Sequence, residues 1–377
     1  MLKRIRIQNF KSLADVTVEL DPLTVLIGQS GTGKSNFVDA LRFLRDYLAK
    51  HGSIFSDQKG WEGMLHRFGG GPSTMTFDVN FDVKYAKGSY EYLLSLGEIG
   101  GKAGSVVGEE RLAFEGKVLF HSKDRKLLVQ PGAVSVGALD KPILGKLSGV
   151  LEITVAYLYL TRAIGCYDFP SNVLRAGPSS DSQTTELMDS GENYREAFAA
   201  IVNNLEVIHN WKEIIAALRC LNHTITSVEP CPSDQSSIWV GHSVKGKVLT
   251  LGLNQESEGL RRFLINLVAL YQYPPKQTLV FEEPERGIHP GALSALADQI
   301  KGCADSGRAQ VIMTTHSPQL LDLFDPAAIR VVELRDCATQ IGPVSPEQMA
   351  ALKEMLLRPG ELLTVDQARV APLATAG

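Results

Sequence analysis

Eight consecutive residues, Gly28-Gln29-Ser30-Gly31-Thr32-Gly33-Lys34-Ser35, limit the folds open to this chain more than any other feature. They follow the pattern G-x-x-x-x-G-K-S. The apolar run Leu23, Val25, Leu26 and Ile27 before them reads as a buried strand, and Phe37, Ala40, Leu41, Leu44 and Leu48 after them recur at helical spacing. Strand, loop and helix therefore come in the order that a phosphate loop requires. The glycines let the backbone curl so that N–H groups and the helix N-terminus face a polyphosphate. Lys34 is placed to reach β- and γ-phosphates, and the Ser35 hydroxyl to ligate Mg²⁺. A glycine-rich turn that binds nothing has no need of Lys and Ser at these two positions.

Composition sets the outer limits. With 377 residues, 44% hydrophobic and 21% charged, the chain can bury a large core and suits one large or two modest domains. No apolar run approaches the ~20 residues of a membrane span, and Met1-Leu2-Lys3-Arg4-Ile5-Arg6-Ile7 alternates like a strand, unlike a signal peptide. A cytoplasmic protein with no membrane association is expected. The five cysteines are scattered, odd in number and without a C-x-x-C pair, which fits reduced thiols and leaves Mg²⁺ as the expected metal. The net charge of -4 supplies no global basic field, so contact with nucleic acid requires a local patch or a partner.

Taken in order, Leu2 to Gln8 and Val16 to Leu20 read as strands around a turn, Asn9-Phe10-Lys11-Ser12, whose polar groups can reach a nucleotide. Past the loop's helix and a glycine-rich passage from Gly60 to Gly71, Met75, Phe77, Val79, Phe81 and Val83 alternate with polar residues. Tyr90 to Leu96, Glu110 to Glu115 and a hairpin through Gly116 extend this into an antiparallel sheet. From about residue 145 to 225 the period turns helical, with Tyr194, Phe198, Ile201, Val202 and Leu205 as one stripe and Ile214, Ile215 and Leu218 opening another. There are no sustained heptads and no internal repeat, so no long coiled coil is expected. Gly177 to Ser182 reads as a loop.

Three further motifs lie in the second half. Ser257-Glu258-Gly259 precedes a helix with apolar Leu260, Phe263, Leu264, Leu267, Val268 and Tyr271, so a helix N-terminus presents Ser and Gly to an anion, although the same pattern also suits a plain cap. Leu279, Val280 and Phe281 form a buried-strand run ending in Glu282-Glu283-Pro284-Glu285, with carboxylates at the sheet edge where α/β proteins bind ligands. One carboxylate can support Mg²⁺ while the next, on the opposite side of an extended strand, polarises water. Val311, Ile312 and Met313 end in Thr314-Thr315-His316-Ser317-Pro318, which sets His316 at a strand tip before a Ser cap and a Pro at the first helical position.

This order of motifs resembles the ATP-binding-cassette superfamily and, within it, the RecF/SMC-like soluble ATPases, including the ATPase halves of OLD nucleases and of phage-defence systems. The likeness runs from the Asn9-Phe10-Lys11-Ser12 opening through Walker A at Gly28 to Ser35, the signature at Ser257 to Gly259, Walker B at Leu279 to Glu283, Ile288-His289-Pro290 and the Thr314 to Pro318 switch. Tyr167-Asp168-Phe169 with Leu174-Arg175, Leu187 to Asn193 and Pro359 to Leu363 also look like this group. The resemblance implies an α/β ABC ATPase head: mixed sheet, P-loop core, antiparallel β subdomain and helical insertion. The chain would be a single ABC-type domain over residues 1–377, with an N-terminal lobe (1–145), a helical/β insertion (146–250), a C-terminal lobe (251–345) and a C-terminal helix and tail (346–377).

By the same resemblance ATP is bound by Gly28, Gln29, Ser30, Gly31, Thr32, Gly33, Lys34, Ser35, Asn36 and Lys11. Ser35 and Glu282 hold Mg²⁺, Glu283 and His316 are catalytic, and Ser257, Glu258 and Gly259 contact ATP across a homodimer. The loop departs from the group in carrying Gln29-Ser30 where Asn usually precedes the second Gly, and Walker B carries Glu282 where Asp is usual. Gln58 and the His66-Arg67 pair stay open as candidates for the Q-loop. A short helix from Pro346, capped by Ser345 with Gln348 in the capping-box position, and a small-residue tail end the sequence. Without a Toprim-like acidic constellation, the chain is expected to lack a nuclease of its own. The implied function is an ATP-gated dimeric switch, hydrolysing ATP and controlling a separate effector such as a nuclease in DNA repair or antiphage defence. Direct DNA binding and a higher oligomer stay open. The alternatives are a non-hydrolysing ATP-dependent scaffold or sensor and a transporter's ATPase subunit. Against the transporter stand the missing L-S-G-G-Q, the Glu-Pro-Glu after Walker B and the β-plus-helical insertion.

Overall fold

The structure is a computed structural model that describes residues 1–54, 58–66, 74–84, 86–97, 106–129, 139–147, 149–175, 184–231 and 237–372. Arg67 and the loop from Gly177 to Ser182 lie outside the described residues, as do the side chains of Gln58 and Arg175. The chain divides into two compact units, one of residues 1–164 and 326–377, the other of residues 165–325.

The first unit opens with β1 (Leu2–Phe10) and β2 (Leu13–Glu19), an antiparallel hairpin with Ile5 opposite Val18 and Ile7 opposite Val16. Both turn-flanking residues Asn9 and Lys11 are left-handed, at φ 58° and 47°. After β3 (Leu23–Ile27) the chain enters α1 (Lys34–Ala49), whose buried stripe includes Phe37, Leu41, Leu44 and Leu48. A short α2 (Gln58–Met64) precedes the meander β4 (Met75–Val83), β5 (Ala86–Gly97), β6 (Val106–Phe114), β7 (Lys117–Lys123) and β8 (Lys126–Val129). These strands join the N-terminal hairpin in one seven-stranded antiparallel sheet, ordered β2-β1-β4-β5-β6-β7-β8. Its inner face carries alternate residues, as Met75, Phe77, Val79, Phe81 and Val83 show. The helix α3 (Leu151–Arg162) covers that face, stacking Tyr159 on Phe81 with ring centroids 4.7 Å apart.

The second unit runs from β9 (Ile164–Tyr167) through α4 (Ser171–Arg175), α5 (Tyr194–Asn203) and α6 (Ile208–Leu221) to an antiparallel sheet of β10 (Ile225–Pro230), β11 (Ile238–Val244) and β12 (Lys247–Gly252). The helical period read from the sequence falls on α3 to α6, but Ile164–Tyr167 within it is a strand. Four buried residues in a row have no periodicity that separates strand from helix. Next comes α7 (Glu258–Tyr271), buried on every side from Leu260 to Tyr271, so its Arg261, Arg262 and Asn266 must find partners inside the protein. Then follow β13 (Thr278–Glu282), α8 (Leu293–Asp305), β14 (Gln310–Thr314) and α9 (Pro318–Leu321), with β13 and β14 parallel and Glu282 opposite Thr314.

The chain returns to the first unit with β15 (Ile329–Arg335) and β16 (Ala338–Pro343). β15 lies parallel to β3, with Ile329 opposite Val25, and turns into β16 through Asp336 and Cys337, both at positive φ as a tight primed turn demands. Helix α10 (Pro346–Lys353) is capped by Ser345, whose Oγ accepts from the Gln348 N–H at 3.4 Å. The Gln348 side chain does not complete a capping box. Its amide donates to the Asp366 and Gln367 carbonyls and its oxygen accepts from the Arg369 N–H, because the C-terminal segment packs there and occupies the Ser345 N–H with the Arg369 carbonyl. Among the described residues the longest helix is α1, at 16 residues, and no helix is long and apolar enough to cross a membrane.

Candidate functional site

In the first unit the phosphate loop joins β3 to α1. Gly28, Gly31 and Gly33 take φ values of 156°, 81° and 106°, and Gly33 is the left-handed residue just before α1. No side chain caps that helix and no acid occupies its first turn, so its N-terminal dipole faces no carboxylate of its own. A Cβ at Gly33 would lie 2.1 Å from Thr339 Oγ1, and one at Gly28 2.1 Å from the Val332 carbonyl oxygen; the loop is pressed against β15 and β16 where only glycine fits. Lys34 is buried and folds back along the loop, its Nζ donating to the Gly28 and Gln29 carbonyls at 2.8 and 2.9 Å. Gln29, Ser30, Gly31 and Ser35 are exposed, while Thr32 is turned inward, its hydroxyl donating to the Gln29 carbonyl at 2.9 Å.

A chain of hydrogen bonds braces the loop. Asn36 Nδ2 donates to Ser12 Oγ at 2.7 Å, Ser12 meets Thr339 Oγ1 at 2.6 Å, and Thr339 donates to the Thr32 carbonyl at 2.8 Å. Asn36 is thus committed to the scaffold. Lys11 is likewise engaged, pairing with Asp39 of α1 at 2.6 Å, and Asp39 also holds Arg42. His66 fastens the same turn: its Nδ1 meets the Lys11 carbonyl at 2.7 Å.

In the second unit the strand tips of β13 and β14 carry the acidic residues. β13 ends at Glu282, and Glu283 turns left-handed at φ 46°, with its N–H shared between the Thr314 carbonyl and hydroxyl at 3.2 Å each. The pleat therefore does not set the direction of Glu283, which differs from the strand alternation expected from the sequence. A positive φ on a glutamate is held by its surroundings, here by those bonds and by the turn that the Arg286 N–H closes onto the Glu283 carbonyl. Glu285 points inward: it accepts from the Thr315 hydroxyl at 2.6 Å and the His316 N–H at 3.1 Å, and burial pushes its carboxyl above the usual range against those donors. His316 is exposed at the tip of β14, and Ser317 behind it caps α9 by accepting from the Leu320 N–H.

Ser257 caps α7, accepting from the Leu260 N–H at 3.2 Å, and remains exposed; Glu258 pairs with Arg262 at 3.2 Å. Arg262 further donates to the Phe169 carbonyl at 2.9 Å and to Ser171 Oγ at 2.5 Å. A Cβ at Gly259 would stand 3.3 Å from the Gly287 carbonyl, so the signature glycine packs closely on the turn after Walker B. Just before Ser257, the half-buried Glu256 meets Nε2 of buried His242 at 2.8 Å, and Thr224 holds the other ring nitrogen. A narrow cleft at the end of β13 is lined by Asp168, Arg262, Asn266, Glu282, Glu283 and Arg286, among others.

Sequence reasoning missed Thr339, whose sequence surroundings carry no motif, and the pairing of Glu256, beside the signature, with His242; it assigned no role to Glu285 or Arg286, although each lies in or beside a quoted motif. No group of three or more His, Cys, Asp or Glu side chains suited to a metal occurs among the described residues. A nucleotide-bound Mg²⁺ needs only one or two protein oxygens besides the phosphates.

Residues 177–322 match a family model described as "AAA domain, putative AbiEii toxin, Type IV TA system", and residues 1–94 one described as "AAA ATPase domain". The chain is similar to the OLD nuclease of Thermus scotoductus, 22% identical over an alignment of 376 positions that covers 93% of this chain and 66% of that protein. It thus spans just under two thirds of that relative's length. Among solved structures, an SMC head bound to the C-terminal winged-helix domain of ScpA superposes with a TM-score of 0.56 at 16% identity, over 93% of this chain and 99% of that one. The SMC head domain of Thermotoga maritima gives 0.51 at 13% identity, over 91% and 99%. The fold is that of an SMC-type ATPase head. In sequence the chain is similar to AAA ATPase family models over residues 1–94 and 177–322 and to an OLD nuclease, which agrees with an ATPase of this general type.

Proposed function

We propose that this chain is an ATP-gated switch: two copies close head to tail on ATP, hydrolysis releases them, and the closed form controls a separate effector such as a nuclease in DNA repair or antiphage defence. The observation that carries this reading is the phosphate loop, a left-handed glycine cradle leading into an uncapped helix, with Lys34 laid along it. Such a cradle suits a polyphosphate. Lys34, Ser30 and the N–H groups of residues 31–35 are assigned to the phosphates, with Ser35 and Glu282 assigned to Mg²⁺, which when bound offsets phosphate charge. Glu283 is assigned to orient and deprotonate the attacking water, and His316 to contact the terminal phosphate. Ser257 and Gly259, at an exposed helix start, are assigned to the partner copy's nucleotide, which makes a two-fold pair the natural assembly.

The OLD nuclease likeness supports an effector that cuts nucleic acid, and the SMC head bound to ScpA supports regulation by a bound partner. A second reading, a scaffold that binds ATP without turnover, draws on Glu282 in the usual Asp position and on the pairing of Glu283 with Arg286. Phosphate release and nucleotide binding, measured on the parent and on Lys34→Ala, separate the readings. Lys34→Ala removes the charge facing the phosphates and should abolish ATP binding or weaken it severely. A variant that binds ATP as tightly as the parent overturns the loop assignment, while a parent that binds ATP and dimerises without releasing phosphate favours the scaffold.

A further inference from the structure

The guanidinium of Arg286 stands between two carboxylates. Its Nη2 lies 3.3 Å from Glu283 Oε1 and its Nη1 lies 3.4 Å from Asp168 Oδ1. We propose that Arg286 is a positioning residue that restrains Glu283 by occupying one of its carboxylate oxygens, and that Asp168 is the seat onto which it withdraws when Glu283 is to act. The proposal rests on the assignment of Glu283 made above and adds a control over it.

The backbone around Glu283 leaves little other freedom. Its N–H is bound twice by Thr314, its carbonyl closes the turn to Arg286, and its left-handed φ excludes a simple slide along the strand. Gly287, next to Arg286, also has a positive φ, and a Cβ there would meet Arg262 Nε at 2.7 Å, so the turn is packed from behind. Asp168 is held too, its N–H donating to the Asp189 carbonyl at 3.0 Å. The adjustable part is the Arg286 side chain, which is 46% exposed and carries a planar fork able to grip two carboxylates or one.

Arg262, the other guanidinium lining the same pocket, cannot take over. Its Nε is held by Glu258, one terminal nitrogen by the Phe169 carbonyl and the other by Ser171. While Arg286 grips Glu283 Oε1, one acceptor site of that oxygen and the direction of the carboxylate are committed to the cation. Shifting the grip to Asp168 frees both. The competition is between two exposed ion pairs of similar length, a near balance that a modest change at the site can tip.

The test is steady-state ATP hydrolysis by the full chain, comparing the parent with Arg286→Gln, Asp168→Asn, Arg286→Lys and Glu283→Gln. Arg286→Gln should raise kcat by about two- to five-fold with KM for ATP unchanged, and Asp168→Asn should lower it by a similar factor because Arg286 then has Glu283 alone. Arg286→Lys keeps the charge but not the fork that spans both carboxylates, so its rate should fall between those of the parent and Arg286→Gln. A merely structural ion-pair network moves the first two variants in the same direction. That result, or an Arg286→Gln rate at or below the parent's, overturns the proposal. If Arg286→Gln does not fold, Asp168→Asn still decides, since an unchanged or raised rate there sinks the idea. Loss of hydrolysis in Glu283→Gln together with a parental Arg286→Gln rate defeats the Arg286 proposal alone, whereas parental hydrolysis in Glu283→Gln overturns the assignment of Glu283 and the proposal with it.

Discussion

Thr339 donates its hydroxyl hydrogen to the carbonyl of Thr32 at 2.8 Å, so the phosphate loop is held from a strand more than 300 positions away. The bond fixes proton direction along the whole brace: Thr339 donates to Thr32, so Ser12 donates to Thr339 and Asn36 donates to Ser12. The brace meets the loop at buried Thr32 and not at its exposed residues Gln29 to Gly31.

Thr339→Val keeps the shape of the side chain and removes the donor. Thr339 is 1% exposed, so the Thr32 carbonyl and the Ser12 hydroxyl lose a partner where water has poor access, at a cost of about 1–3 kcal/mol. The expected outcome is a lower melting temperature and ATP affinity reduced several-fold, read by calorimetry with and without nucleotide. An unchanged affinity in the destabilised variant would mean that the brace stabilises the fold without shaping the loop.

Dimerisation tests the signature. Ser257 is an exposed helix cap, so Ser257→Arg costs the protomer only the cap bond, roughly 1 kcal/mol. ATP binding to each protomer should persist while an Arg side chain blocks approach of the partner's nucleotide. Sizing chromatography with ATP checks this. A dimer that forms with ATP in the parent and survives Ser257→Arg shows that the signature or the head-to-tail mode is wrongly assigned.

Glu110 links stability to pH. Its carboxylate is fully buried under the sheet and accepts from the Ile143 N–H at 2.7 Å, the Tyr92 hydroxyl at 2.9 Å and the Leu144 N–H at 3.1 Å. Burial outweighs those donors and pushes its pKa from 4.5 up to about 7. Between these values the folded chain binds more protons than the unfolded one, so this contribution is present at low pH, is lost as pH rises through the window, and is flat above it; the total is roughly 3 kcal/mol. Glu110→Gln should erase that slope. Urea melts of both proteins at pH 5 and pH 8 decide, and parallel pH dependence would show that Glu110 does not supply it.

How much of this was legible in the sequence follows from how far each feature reaches. The phosphate loop, the Ser257 cap and the Ser317 cap depend on residues within a few positions of one another, and the sequence sufficed to place each in its element. The alternation of β4 announced a one-sided sheet for the same reason. Thr339, His242 and Arg286 were invisible because their partners are either remote in sequence or reached by a side chain whose direction depends on a turn. Glu283 is the instructive case: alternation along a strand sent it to the face opposite Glu282, but the strand ends at Glu282 and a left-handed residue follows. Local pattern carries no sign of that turn, since a positive φ on glutamate is imposed by Thr314 from the neighbouring strand.

The two adjacent carboxylates should therefore part company by environment more than by pleat. Glu282 closes β13 opposite Thr314 and is assigned to the Mg²⁺ shell, while Glu283 stands on the turn with one oxygen near Arg286 and is assigned to the water. Glu283→Gln keeps shape and removes the charge, so ATP should bind, the dimer should persist and hydrolysis should fall by about 10²-fold or more. Glu282→Gln should instead weaken binding that depends on Mg²⁺, visible as a higher magnesium requirement at fixed ATP. Glu282→Asp restores the residue usual at that position, and a several-fold faster turnover would show that the longer side chain slows the parent. Rapid-quench measurement of phosphate release, with filter binding of ATP on the same preparations, distinguishes these outcomes. Hydrolysis by Glu283→Gln at the parental rate would move the role of base elsewhere, and exposed His316 at the tip of β14 would be the next residue to replace.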